Sequence, residues 1–530
     1  MEDLRSRVAT SAELRVSFFA TQQSLYDFAI ELAEEAHRPQ EALGLAERAK
    51  ARALLELLAS RRGSSGTAPA ADTSAAESLG RRVTALELEL VQLAGDEASR
   101  SRAATLEQQQ AELLRQLGRL GPAVASPART LSAREIQRRL LDADTLLLEY
   151  RLGERESHLW ALSRSGLASY TLPPRSRLEA AALEAHQAAV ANRRQARERT
   201  RDQLAALGSA LLGPAARAIG AHSRLVIVPD GALYRLPFTA LPDPLAPDQP
   251  LAFHHELVTL PSASILGQLR REAELRPAAP GLLAVVADPV FEAGDPRLAS
   301  LRGKGAPATA GPYRRLPWAG EEAAAILELV PGARRFAALG FDAHRQQLES
   351  PRLAGYSILH IATHGELDEE HPELSRLAFS LFDPEGRPRS DGLLHAFEIY
   401  ELRLPVQLLV LSACNTALGK SVRGEGLLGL AHSFFYAGAL RILVSLWDVD
   451  DRSTAELMRR FYRGLLVEGR SPPSALREAQ LALARDPRWS QPHYWAGFEL
   501  LGEWRDFERG LPALAAKPSR AEQLYLGQKP

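Results

Sequence analysis

The chain carries a single cysteine among its 530 residues, Cys414, and a histidine, His364, stands 414 − 364 = 50 residues upstream of it. Each closes an apolar run: Tyr356-Ser-Ile-Leu-His-Ile-Ala-Thr leads to His364-Gly365, and Val406-Gln-Leu-Leu-Val-Leu-Ser-Ala leads to Cys414-Asn-Thr. Both runs read as buried strands that arrive at loops. A thiol ionises near pH 8.5, so nucleophilic use of Cys414 needs help toward the thiolate and a proton carrier beside it. A lone buried cysteine is otherwise an ordinary small hydrophobe. With a histidine at a second strand end, the pair reads as thiol chemistry at the carboxyl edge of a rigid sheet, where open α/β sheets place their crevices. Gly365 permits close backbone approach, so its N–H is a candidate oxyanion donor. His360, four residues before His364, reads as a packed core histidine. A His-x-x-x-His zinc site needs a helix and a third ligand, and neither is evident.

Composition narrows the field. A length of 530 residues allows roughly two to four domains, at about 150 residues each. The net charge of −1 gives no global electrostatic case for direct nucleic-acid or membrane binding. One cysteine excludes an internal disulfide and a multi-cysteine zinc site, and fits a reducing, cytoplasmic setting. The start, Met1-Glu-Asp-Leu-Arg, has no apolar core of a signal peptide. No stretch approaches the ~18 apolar residues of a membrane helix. Abundant Ala and Arg with scarce Lys suggest a GC-rich bacterial genome.

The elements that must position His364 and Cys414 follow from the pattern along the chain. Residues 1–61 read as a helical unit, with segments at 26–35 and 41–58 divided at Pro39. Ala42, Ala46 and Ala49 fall at i, i+4 and i+7, a small-residue stripe like that of a terminal tetratricopeptide unit. One unit cannot bury its own face, so further repeats or the next domain must cover it. Residues 62–130 read as a flexible linker and a leucine-bearing helical hairpin over 75–120. Ser132-x-x-Glu135 is a capping box. Thr145–Arg151 and His158–Ser163 read as paired strands, 177–212 as one long polar helix, 224–231 as a buried strand ending in a turn, and 281–288 as another. Helices are expected at 318–329, 342–348, 426–437 and 452–467, and strands at 356–363, 406–413 and 440–446. This alternation predicts an α/β fold with a mostly parallel sheet. Its length suggests two lobes, 131–280 and 281–505, with a tail at 506–530.

The motifs also resemble a known family. Leu359-His-Ile-Ala-Thr-His364-Gly365, Leu411-Ser-Ala-Cys414-Asn-Thr, Gly424-Glu-Gly-Leu-Leu-Gly-Leu-Ala-His-Ser-Phe-Phe-Tyr-Ala-Gly-Ala439, Val444-Ser-Leu-Trp-Asp-Val-Asp-Asp451 and His493-Tyr-Trp-Ala-Gly-Phe498 are similar to the CHAT proteases of the caspase–separase clan. Ile227-Val-Pro-Asp-Gly-x-Leu-x-x-Leu-Pro-Phe238 resembles the first lobe of the same family. The resemblance covers roughly 131–505. It implies a caspase-like sheet flanked by helices, with an inactive first lobe and a catalytic second lobe. It implies a cysteine endopeptidase in which Cys414 attacks the scissile carbonyl, His364 handles the leaving-group proton, and the N–H groups of Gly365 and Cys414 hold the oxyanion. It calls for no cofactor and no metal.

By the same resemblance, Asp451, then Asp448, is expected to receive a basic P1 side chain. Asp451 also reads as the N-cap of the helix that follows it. The loop Lys420-Ser-Val-Arg423-Gly-Glu-Gly reads as an exposed polar loop or as a self-cleavage site. The implied partners are a protein substrate, with gasdermin-like pore proteins among those the family acts with, and a regulator engaging the N-terminal helices in bacterial defence or cell death. A catalytically silent binding module of the same fold is the alternative, and retention of both His364 and Cys414 argues against it.

Overall fold

The computed structural model describes residues 12–50, 54, 55, 58, 109, 130–191, 197–301, 313–368, 371–413, 420–422 and 426–507. Cys414 and the linker at 62–71 lie outside the described residues. So does the leucine-bearing stretch 75–120, apart from Gln109.

One eleven-stranded sheet runs through the molecule. Its strands are β1 (Thr145–Arg151), β2 (Ser157–Leu162), β3 (Leu167–Leu172), β4 (Arg224–Val228), β5 (Glu256–Thr259), β6 (Gly281–Ala287), β7 (Arg335–Leu339), β8 (Tyr356–Ala362), β9 (Leu408–Ser412), β10 (Arg441–Ser445) and β11 (Phe498–Gly502). The spatial order is β3-β2-β1-β4-β5-β11-β10-β9-β8-β6-β7. β2 runs antiparallel to both β1 and β3, and β11 antiparallel to β10. The other neighbours are parallel. Strands from 145–259 thus form one half of the sheet and strands from 281–502 the other, and the halves meet where Leu501 stands opposite Thr259. The inner strands are near-continuous apolar runs, as a sheet covered on both faces requires: every residue of β8 after Tyr356, and every residue of β9 and β10, is buried. The expected α/β architecture, mostly parallel and flanked by helices with a helical region ahead of it, is the one observed.

The N-terminal helices are α1 (Ala12–Glu35) and α2 (Pro39–Ala49). Ala42, Ala46 and Ala49 are buried, while Leu25, Phe28 and Leu32 of α1 are exposed, and the unit is tied to the first half of the sheet by polar contacts. Glu47 accepts from the backbone N–H groups of Ala263 and Ser264 at 2.9 and 2.8 Å. Lys50 donates to the carbonyl of Tyr150 at 2.5 Å. Arg151, at the end of β1, reaches Gln23 at 2.8 Å and also binds Asp27. The capping box is present, with Ser132 N–H donating to Glu135 at 3.0 Å.

Three expected elements differ. The single helix at 177–212 is two, α4 (Arg175–Ala191) and α5 (Arg197–Leu212), after α3 (Ala133–Arg139). Two helices allow Ala182 and Ala185 of one and Leu204, Leu207 and Leu211 of the other all to be buried. The helix expected at 342–348 is only a turn at Gln346–Glu349. The helix expected from 426 begins at Leu430, because Gly426–Leu428 pairs antiparallel with Lys420–Val422 in a two-stranded ribbon. The remaining long helices are α6 (Ala263–Glu274), α7 (Pro317–Glu328), α8 (Leu430–Ala437), α9 (Asp451–Leu466) and α10 (Pro472–Ala484).

Candidate active site

Strand register builds the site. Ala287 of β6 stands opposite Ala362 of β8, and Ala362 opposite Ser412 of β9. Val410 stands opposite Leu443 of β10. The parallel strands therefore end in one row, and Asp288, Thr363 and Ala413 are the first residues past it. Parallel sheets bind ligands at such carboxyl edges. Thr363 ties the edge together. Its N–H donates to the Ser412 carbonyl at 3.3 Å, and its hydroxyl donates to the carbonyl of Ala378.

His364 follows and opens the short strand His364–Glu366, which pairs antiparallel with Arg376–Ala378. Gly365 is its middle residue, opposite Leu377. The imidazole is half-buried between Phe291, with ring centres 4.9 Å apart, and Tyr313, at 5.4 Å and 30° between planes. Nε2 lies 2.7 Å from the main-chain carbonyl of Arg314. A carbonyl only accepts, so Nε2 carries the hydrogen and Nδ1 is the basic nitrogen of the neutral ring. Burial lowers the His364 pKa, while the Arg314 carbonyl and the carboxylate of Asp448 oppose that shift by favouring the cation.

Beneath the edge lies a buried polar network. His360 is fully buried, with its Nδ1 3.2 Å from the Tyr462 hydroxyl of α9. Its Nε2 sits 3.0 Å from Glu322 of α7, off the line of a good hydrogen bond. Glu322 in turn accepts from the Ser412 hydroxyl at 3.2 Å. The network joins β8, β9, α7 and α9 directly below the strand ends, and this is a packing role for His360.

The acids after β10 take distinct places. Asp448 is exposed. Asp450, rather than Asp451, is the N-cap of α9, accepting from Ser453 N–H at 2.8 Å. Asp451 instead accepts from Trp318 N–H at 3.0 Å and so caps the neighbouring helix α7. Its pKa is raised by burial and by the nearby carboxylates of Glu322, Asp450 and Asp288. The buried Trp447 donates to the His493 carbonyl at 3.0 Å. A side chain on Gly497 would meet the Trp447 indole nitrogen at 2.9 Å. The segments Val444–Asp451 and His493–Phe498 are therefore packed against each other, and Gly497 is needed for that approach. Among the described residues no group of three or more His, Cys, Asp or Glu side chains is placed to hold a metal, and no helix is long and apolar enough to cross a membrane.

Sequence reasoning missed Phe291, Tyr313, the Arg314 carbonyl and Glu322 around these residues. None of them carries a periodic or motif signal; only the strand ends marked the region.

The CHAT domain family matches residues 201–503, more than half of the chain, and the chain belongs to that family. It is 29% identical over 317 residues to tetratricopeptide repeat protein 28 of Mus musculus and 28% identical to that of Homo sapiens. Each alignment covers 54% of this chain and 12% of the relative, so the chain spans a small part of the length of these relatives. Similar solved structures include the Saccharomyces cerevisiae separase–securin complex, at 10% identity and a TM-score of 0.44, covering 79% of this chain and 32% of that one. The Arg-specific cysteine proteinase gingipain R is another, at 9% identity and a TM-score of 0.35, covering 62% of this chain and 74% of that one.

Proposed function

We propose that the chain is a cysteine endopeptidase that cleaves a protein after a basic residue. One observation carries the reading: Ala362 and Ser412 are paired at the aligned edge, and His364 and Cys414 each follow their strand by two residues. In this reading the Cys414 thiolate adds to the scissile carbonyl carbon. The N–H groups of Gly365 and Cys414 receive the oxyanion. The C–N bond breaks as the amine takes a proton from the His364 imidazolium. Water then adds to the thioester with His364 as base, releasing the acid and restoring the thiol.

Asp451, with Asp448 second, supplies the negative charge for a P1 Arg or Lys. The catalytic lobe is 281–505, and 131–280 is its inactive counterpart. The N-terminal helices are where a regulatory partner would act, in a cytoplasmic defence or cell-death role with a gasdermin-like substrate. The test is a peptidyl-Arg probe that alkylates active-site thiols, together with a peptide-library digest comparing the chain with Cys414→Ala. Labelling at Cys414 and cleavage lost in the variant support the reading. A chain that binds peptides but neither cleaves nor labels is a binding module.

A further inference from the structure

We propose that Asp288 and Arg315 form a clamp that positions His364, acting through the main-chain carbonyl of Arg314. The inference about catalysis rests on the endopeptidase reading; the inference about the ring does not.

The Arg314 carbonyl lies in the stretch 313–316, which has no regular structure of its own and leads into α7. Side chains on both sides pin it. On one side, Tyr313 stacks on His364, and its hydroxyl donates to Glu366 at 2.6 Å. On the other, Arg315 grips Asp288 with two prongs, Nε to Oδ1 at 3.2 Å and Nη2 to Oδ2 at 3.1 Å. Between them the carbonyl meets His364 Nε2 at 2.7 Å.

Asp288 is built to hold that grip. It is the first residue past β6, in the left-handed region at φ 52°. Arg297 braces it, donating to its carbonyl at 2.8 Å and its carboxylate at 2.9 Å. The buried Asp295 holds Arg297 in turn, at 2.7 Å. Two guanidinium groups thus occupy the Asp288 carboxylate, which makes it a fixed anchor and a poor receptor for a substrate cation. A side chain on Gly320 would come within 3.1 Å of Asp288, so α7 also packs tightly over it.

Freed of the clamp, the Arg314 peptide can turn, and His364 loses the acceptor that selects its Nε2–H tautomer. Among the described residues, the other charged groups around the ring are Asp448 and, on the short sheet, Glu366 paired with Arg376 at 2.8 Å.

The experiment is ring-nitrogen NMR of the full chain with labelled histidine, His364 being assigned by loss of its signals in His364→Gln. It is run on wild type, Asp288→Asn and Arg315→Lys. Asn tolerates left-handed backbone, and Lys keeps the charge but not the fork. Melting curves establish folding. The expected result is a smaller Nε2–H population and a lower His364 pKa in both variants, with Arg315→Lys the milder. Peptidase kcat should fall roughly tenfold or more, within the range of general acid–base effects, with KM little changed. The acid limb of the pH profile should move to lower pH. Should Asp288→Asn not fold, Arg315→Lys alone decides. An unchanged His364 tautomer and pKa in folded variants overturns the clamp. A shifted titration in a chain that cleaves nothing keeps the clamp and overturns the endopeptidase reading.

Discussion

The N–H of Thr363 donates to the carbonyl of Ser412 at 3.3 Å, just past the last paired residues of two parallel strands. This bond locks the loop of His364 to the strand that leads to Cys414. Rigid elements hold catalytic groups more accurately than loops do. It also explains why two apolar runs 50 residues apart end together: one register fixes both.

His364→Ala should lower the rate of peptide cleavage by at least a hundredfold, the lower end of general acid–base effects. The thiol of Cys414 should remain partly open to alkylation, because a cysteine thiol ionises in part near neutral pH without a histidine partner. Steady-state rates and iodoacetamide labelling check both. A variant with more than about a tenth of the wild-type rate assigns the proton transfer to another group.

Activity should persist into mildly acidic solution. Burial holds His364 below the usual histidine value, so the neutral ring survives to lower pH than an exposed histidine would. Activity then falls as pH drops through that lowered pKa. Asp448 favours the charged ring, so Asp448→Asn should move the acid limb further down. A pH profile of kcat/KM measures both. A limb that moves up in Asp448→Asn contradicts this electrostatic account.

Gly497→Ala should destabilise the fold. The added carbon would sit 2.9 Å from the Trp447 indole nitrogen and 3.1 Å from Val449, and the indole is buried and cannot swing away. Overpacking of this kind costs typically 1–3 kcal/mol. Chemical denaturation should show the loss, accompanied by a change in Trp fluorescence. Unaltered stability would mean that the two segments can move apart freely.

The strand ends were legible because buried parallel strands are unbroken apolar runs, and Thr363-His364 and Ala413-Cys414 mark where two such runs stop. The capping box at Ser132 was legible because its partners lie three residues apart. The Asp288–Arg315 grip was not, since a contact across 27 residues leaves no periodic trace. That Asp450 rather than Asp451 caps α9 was hidden for a related reason. Either aspartate suits an N-cap by type, and only the approach of Trp318 from another helix draws Asp451 away. The division of 177–212 into two helices escaped because a polar, alanine-rich run has little periodicity to mark a fold-back.

Asp451 gives the sharpest test of specificity because two variants separate its contact with Trp318 from its proposed P1 role. Pro317 has no N–H, so Trp318 supplies the first backbone donor of α7, and Asp451 receives it at 3.0 Å. Asp451→Ala removes cap and charge together. It should cost about 1 kcal/mol of stability, as cap losses do, and should also weaken cleavage after Arg and Lys. Asp451→Asn keeps an oxygen for Trp318 and loses only the charge, so its melting temperature should stay near wild type while the basic P1 preference collapses. Arg should be preferred to Lys in the wild type, because a guanidinium can meet a carboxylate with two hydrogen bonds. Burial, joined by the nearby carboxylates of Glu322, Asp450 and Asp288, raises the Asp451 pKa, so the basic preference should also weaken as pH falls and the carboxylate takes up its proton. A positional peptide library read at two pH values measures all of this. If Asp451→Asn keeps the basic preference, the charge that reads P1 lies elsewhere, and Asp448→Asn is the next variant to profile. A wild-type preference for Asp at P1 would overturn the acidic pocket itself.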